Sequence, residues 1–181
     1  MQAFILSIGD ELTSGQRLDT NSQWLSLQLG DLGVRTLGHL TVADDLAENV
    51  AGFRQACERA DVLISTGGLG PTADDLTREV LAQLAGVELE LDEPSLEHIK
   101  ALFSRRRRPM PERNVVQAMF PRGSRVIANP EGTAPGVQIA IRTSPEHVCH
   151  VFALPGVPWE MQVMWERSVV PALVELARAG R

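Results

Sequence analysis

The most constraining feature of this chain is a threefold alternation in its first half. Short apolar runs at residues 3–8, 34–41 and 61–66 are each followed by a stretch whose apolar residues recur at helical spacing. Strands that are joined by helices cannot pair as hairpins. They form parallel sheets through right-handed crossovers, with helices covering both faces. This order predicts an α/β fold, a three-layer α/β/α domain with a mostly parallel sheet.

The first helix is expected over residues 21–32, capped by Thr20 or Asn21 and ended by Gly33. Asp45 with Glu48 three residues later has capping-box geometry and starts a second helix reaching residue 59. A third is expected over residues 74–84, closed by Gly86. The middle is less regular. Residues 93–103 look helical, Arg105–Arg108 reads as a solvated basic loop, and Pro111 opens a short helix through Met119. Strand candidates at 125–127, 137–142 and 148–153 suggest a mixed or antiparallel portion of sheet. Pro158 sits in the first turn of a last helix that Pro171 should kink or split. No linker or repeat divides the 181 residues, so one domain is expected.

Composition removes several classes of function. The formal net charge is −6, which disfavours a nucleic-acid partner that would need basic surface to displace counterions. No apolar run approaches the roughly 18 residues needed to cross a membrane. The first ten residues lack a basic n-region and read as a strand rather than a signal peptide. Cys57 and Cys149 stand far apart in apolar surroundings, so two buried free thiols in a reducing cytoplasm are expected.

Chemistry concentrates where the third strand ends, at Ser65-Thr66-Gly67-Gly68-Leu69-Gly70-Pro71-Thr72-Ala73-Asp74-Asp75-Leu76-Thr77. Three glycines strip side chains from a turn that runs into a helix, leaving backbone N–H groups and the helix dipole to face a ligand. The natural guest is a phosphate-containing small molecule, and Thr66, Thr72 and Thr77 offer hydroxyls to its oxygens. The Walker ending and the dinucleotide-fingerprint spacing are both missing. Read alone, the glycines also suit a plain flexible connection. Asp74 and Asp75 serve equally as helix-dipole partners or as catalytic acids. A carboxylate beside a phosphate implies a cation between them, so a divalent metal such as Mg²⁺ is expected on Asp10, Asp74 and Asp75.

In a parallel sheet the first and third strands end on the same side, so Gly9-Asp10-Glu11-Leu12 and Asp19-Thr20-Asn21 should face the glycine turn. Asp19 reads equally well as a helix-entry residue. Asn129-Pro130-Glu131-Gly132-Thr133-Ala134-Pro135-Gly136 and Leu154-Pro155-Gly156-Val157-Pro158 also place Pro and Gly at strand boundaries; taken singly they are turns. The four histidines show no zinc spacing, and there is no Gly-x-Ser-x-Gly elbow for a serine nucleophile.

Taken in order, these segments together resemble the N-terminal domain of the competence/damage-inducible protein (CinA) family, within the molybdopterin-binding superfamily. The match spans essentially the whole chain. The resemblance implies a molybdopterin-binding-like fold, often homo-oligomeric, and a metal-dependent pyrophosphatase acting on ADP-ribose. Adenylyltransferase relatives imply instead that molybdopterin and a nucleotide bind; a non-catalytic binding module is the third possibility. The resemblance places Gly67, Gly68, Gly70, Thr72, Asp74 and Asp75 at the phosphate and pterin site. Asn21, Thr66, Thr77, Gly132, Thr133, Pro155 and Gly156 complete the candidate ligand contacts. Full-length CinA proteins carry a C-terminal deamidase domain; the sequence stops at Arg181, so that activity is not expected of it.

Overall fold

The computed structural model describes residues 1–179. Its centre is a six-stranded sheet in the order β2-β1-β3-β8-β7-β6. The strands are β1 (Gln2–Ile8), β2 (Arg35–Val42), β3 (Val62–Thr66), β6 (Arg125–Ile127), β7 (Gly136–Arg142) and β8 (Val148–Leu154). β1 pairs parallel with β2 and β3, and β3 pairs parallel with β8. β7 and β6 then run antiparallel, because a tight turn can join β7 to β8 without a crossover helix. A separate antiparallel ribbon, β4 (Leu89–Leu91) with β5 (Met119–Pro121), was not evident from the sequence pattern.

Alternation along β1 shows how the layers are built. Phe4, Leu6 and Ile8 enter a core shared with Phe53 of α3 (Leu46–Cys57) and Val80 and Leu81 of α4 (Thr77–Ala85). Ala3 and Ile5 enter the opposite core with Leu25 and Leu29 of α2 (Thr20–Asp31) and Met161 of α6 (Pro158–Met164). Period-two burial on both faces defines the central layer of three.

Local chemistry sets the helix ends. Asp45 accepts a hydrogen bond from the Glu48 N–H at 3.0 Å, as the capping pattern requires. The cap of α2 is Asp19, not Thr20 or Asn21: its carboxylate accepts from the Ser22 N–H at 3.0 Å. A carboxylate is the stronger acceptor and draws the helix start one residue earlier. Helix α4 begins at Thr77 rather than Asp74, because the preceding residues form a turn closed on Thr72. A four-residue helix α1 (Asp10–Thr13) follows β1. Helix α5 (Glu93–Arg105) matches its expected position, whereas Glu112–Ala118 forms a 3₁₀ helix. The final helix is unbroken but irregular, neither split nor interrupted at Pro171: α6 passes through a π turn, Trp165–Val169, into α7 (Val170–Ala179), in whose first turn Pro171 lies. Both cysteines are buried and free. No helix among the described residues is long and apolar enough to cross a membrane.

The sheet order contains a switch point. From β1 the chain crosses to β2 on one side, and β3 then joins β1 on the other. Loops leaving the carboxyl ends of β1 and β3 therefore diverge and open a crevice, the usual ligand site in such sheets.

Candidate active site

That crevice holds a cleft of about 470 Å³ lined by Gly9, Glu11, Arg17, Asp44, Gly67, Gly68, Asp74, Asp75, Gly156 and Trp159. A cleft of about 250 Å³ adjoins it through Gly68, Asp75 and Gly156, and adds Leu69, Gly70, Gln117, Thr133, Pro155 and Glu160. The two clefts straddle the glycine turn.

The turn is shaped by two residues at positive φ, Gly67 at 98° and Gly68 at 65°. A side chain is excluded sterically as well: a Cβ on Gly67 would lie 2.7 Å from the Ile8 carbonyl oxygen, and one on Gly68 would strike the Thr77 hydroxyl. The Gly67 N–H extends the sheet by donating to the Leu154 carbonyl at 3.0 Å. Among the described residues, the N–H groups of Gly68, Leu69 and Gly70 meet no protein acceptor. Donors without protein acceptors beside a cleft are what an anion receptor offers.

Two of the three threonines, Thr66 and Thr77, are buried, and exposed Thr72 turns to the acids beside it. Thr77 is fully buried and its hydroxyl donates to the Gly67 carbonyl at 2.9 Å. The Thr66 hydroxyl lies 3.3 Å from that of Ser7, in a buried chain running through Ser22 to Asp19. The Thr72 hydroxyl donates to both Asp74 and Asp75, and its N–H reaches Asp75 at 2.9 Å. These hydroxyls hold the loop in shape and leave ligand contact to the backbone.

The acids form a rim. Asp10 and Asp44 exchange reciprocal bonds, each carboxylate accepting from the other's N–H at 3.0 Å. Burial raises the Asp44 pKa above the ordinary carboxylate value; the Asp10 amide opposes this, and the charges of Asp10, Asp74 and Glu11 add to the rise. The Thr72 hydroxyl lowers the pKa of exposed Asp74. Among the described residues no three His, Cys, Asp or Glu side chains form a ready cage. Mg²⁺ seldom needs one: it is commonly held by one or two carboxylates together with substrate phosphates and water. Among the described residues, Asp10 and Asp44 each keep one oxygen that no protein group occupies, which fits such a use.

The remaining predicted residues are distributed unevenly. The Asn21 amide donates to the Gly156 carbonyl at 2.9 Å, fixing the loop after β8 against α2. Gly132 lines neither cleft. Its N–H donates to the Asn129 side chain at 3.0 Å, and a Cβ there would run into the Glu160 carboxylate. Trp159, 62% exposed, stands at the lip, whereas Trp165 is buried with Trp24 packed edge-on at 6.1 Å. Sequence reasoning passed over Arg17, Asp44 and Gln117. Asp44 had a signal, an acid at the carboxyl end of a second parallel strand; Gln117 had none.

The sheet with its switch point and glycine turn belongs to a domain of the molybdopterin-binding class. Residues 4–175 match the family model described as "Probable molybdopterin binding domain". Within that class the chain belongs to the CinA family. It is 34% identical to CinA from Thermoplasma acidophilum, whose crystal structure superposes with a TM-score of 0.82, covering 92% of this chain and 95% of that one. A CinA-like protein of Desulfosudis oleivorans is 43% identical over 182 residues, 100% of this chain but 43% of the relative. The chain thus spans less than half the length of the curated relatives it matches. The tungsten cofactor synthesizing protein MoaB from Pyrococcus furiosus shares the fold at 22% identity and a TM-score of 0.65, covering 99% of this chain and 97% of that one.

Proposed function

We infer that this domain binds a diphosphate-bearing small molecule in the paired clefts and hydrolyses its diphosphate linkage, with ADP-ribose the favoured substrate. The observation that carries this reading is the row of unpartnered amides at Gly68, Leu69 and Gly70, set beside carboxylates that keep free oxygens. The amides would take non-bridging phosphate oxygens, and Arg17 adds a cation on the cleft wall. A divalent ion held by Asp10 and Asp44, with the substrate phosphates and water completing its shell, would neutralise charge on the phosphates, and the neighbouring Asp74 carboxylate would orient the attacking water. Water adds to one phosphorus, the bridging P–O bond breaks, and the released proton passes to a rim carboxylate. The products from ADP-ribose are AMP and ribose 5-phosphate. The exposed Trp159 face suits the planar base at the far end. The cytoplasm, where nucleotides are plentiful and thiols stay reduced, is the matching compartment.

One observation favours a second reading, a carrier of molybdopterin or nucleotide that performs no hydrolysis. Asp74 and Asp75 both receive hydrogen bonds from Thr72 and so close the turn, a structural duty that needs no chemistry.

Calorimetry with ADP-ribose and molybdopterin, alongside an AMP-release assay with and without Mg²⁺, separates the readings. Hydrolysis predicts Mg²⁺-dependent AMP release, which Asp74→Asn reduces by about a hundredfold with no measurable change in melting temperature. Binding without turnover at any divalent metal would establish the carrier. Formation of an adenylylated pterin would establish the transferase. Sedimentation at several concentrations tests the self-association that the family resemblance implies.

A further inference from the structure

Arg78, the second residue of α4, is fully buried behind the glycine turn. Its Nη2 donates to the Leu69 carbonyl at 2.8 Å, while Nε and Nη1 have no partner. Glu79 and Asp75 influence its charge, yet among the described residues it forms no ion pair. Burial lowers its pKa to about 10, so it stays a cation at neutral pH. A buried cation that no carboxylate reaches within ion-pair distance is costly, and an apolar side chain of similar length would usually serve stability better.

Its position gives the charge a use. Three consecutive loop carbonyls are captured from the α4 side: Gly67 by the Thr77 hydroxyl, Gly68 by the Thr77 N–H at 3.1 Å, and Leu69 by Arg78. The Gln117 amide reaches the Leu69 carbonyl more weakly, at 3.4 Å. There are no cis peptides among the described residues. In a planar trans peptide the carbonyl of one residue and the N–H of the next point in opposite directions. Pulling these three carbonyls towards α4 therefore turns the N–H groups of Gly68, Leu69 and Gly70 away from it, towards the clefts.

We propose that Arg78 is the positioning residue of the anion receptor: it fixes the direction of the Leu69–Gly70 peptide and places behind it a guanidinium that makes no direct ion pair among the described residues and that a bound phosphoryl group would help to balance. The proposal rests on the phosphate reading of the site and adds to it a residue that the ligand never touches.

The test compares wild type, Arg78→Met and Arg78→Lys, with inorganic pyrophosphate as the probe. Arg78→Met should weaken pyrophosphate binding by calorimetry at least about tenfold, and abolish its thermal stabilisation, while the unliganded variant unfolds no more readily than wild type. Arg78→Lys keeps a charge and one donor and should recover affinity to within about threefold of wild type. A purely structural arginine predicts the reverse: lowered stability, with affinity unchanged in the folded fraction. Wild-type affinity in a folded Arg78→Met protein overturns the proposal. If that variant does not fold, Gln117→Leu should still shift the Leu69 and Gly70 amide resonances and weaken binding about twofold; neither effect would overturn it. Failure of wild type to bind pyrophosphate overturns the phosphate reading instead. The peptide-direction claim is then decided by whether Arg78→Met or Gln117→Leu moves those amide resonances; if neither does, it too is overturned.

Discussion

Two glycine-containing loops border the smaller cleft and use their backbones in opposite ways. In the turn after β3, side chains and an amide of α4 capture the carbonyls and leave the N–H groups of Gly68, Leu69 and Gly70 without acceptors. In the loop between β6 and β7, Asn129 captures the amides. Its Oδ1 accepts from Glu131 and Gly132, both at 3.0 Å, and its Nδ2 donates to the Ala134 carbonyl and to Glu160. The first loop holds three glycines and one proline, the second one glycine and two prolines. The first leaves its donors without protein acceptors; the second consumes its own and becomes a buttress for α6. What distinguishes a receptor from a brace is which backbone group the neighbouring side chain takes.

The most severe way to break this contrast is Gly68→Ala. Position 68 has φ of 65°, and a Cβ would press on the Thr77 hydroxyl that anchors the turn. We expect about 3 kcal/mol of lost stability in urea unfolding, and loss of pyrophosphate binding in whatever remains folded. Asn129→Ala should separate the two properties. Asn129 is buried and its removal leaves several polar groups unpaired, so stability should fall by about 2 kcal/mol while pyrophosphate affinity stays within about threefold of wild type. An affinity loss as large as that of Gly68→Ala would show that the loops act as one unit.

The smallest effect concerns the acidic rim. The Asp44 carboxyl holds its proton more tightly folded than unfolded, so it favours the folded state at low pH and loses that contribution as pH rises through its raised value. Asp44→Asn keeps the bond from the Asp10 N–H but removes the charge. Without divalent cation, its melting temperature should slightly exceed that of wild type at neutral pH, and the difference should vanish on acidification. Mg²⁺ should stabilise wild type and not the variant. A variant less stable than wild type at every pH would sink the account of the rim.

Much of this was legible in the residues. The alternation in the first 86 residues predicted the parallel half of the sheet, and the strand after residue 61 led to the glycine turn. Periodicity and capping are local signals, and both survive folding. Less legible were features set by distant partners. Asp74 and Asp75 looked like a first helical turn because acids favour that place; the Thr72 hydrogen bonds outcompete it. The ribbon β4–β5 joins two three-residue segments, each too short to carry a periodic pattern. Arg78 sits in an ordinary amphipathic stretch, and only the packed helix reveals that it is buried. Thr66, Thr72 and Thr77 were correctly located at the turn, but a hydroxyl's direction depends on neighbours that no linear pattern supplies.

The π turn in the C-terminal helix sets how that helix lies along the sheet. Met161, Trp165, Val169 and Leu173 are all buried, a stripe that recurs every four residues. An α-helix completes a turn in 3.6 residues, so such a stripe would wind steadily around a regular one and lose the flat surface beneath it. The wider turn at Trp165–Val169 takes up that excess. One rod can therefore stay seated from the mouth of the cleft to the far end of the domain without coiling about its support.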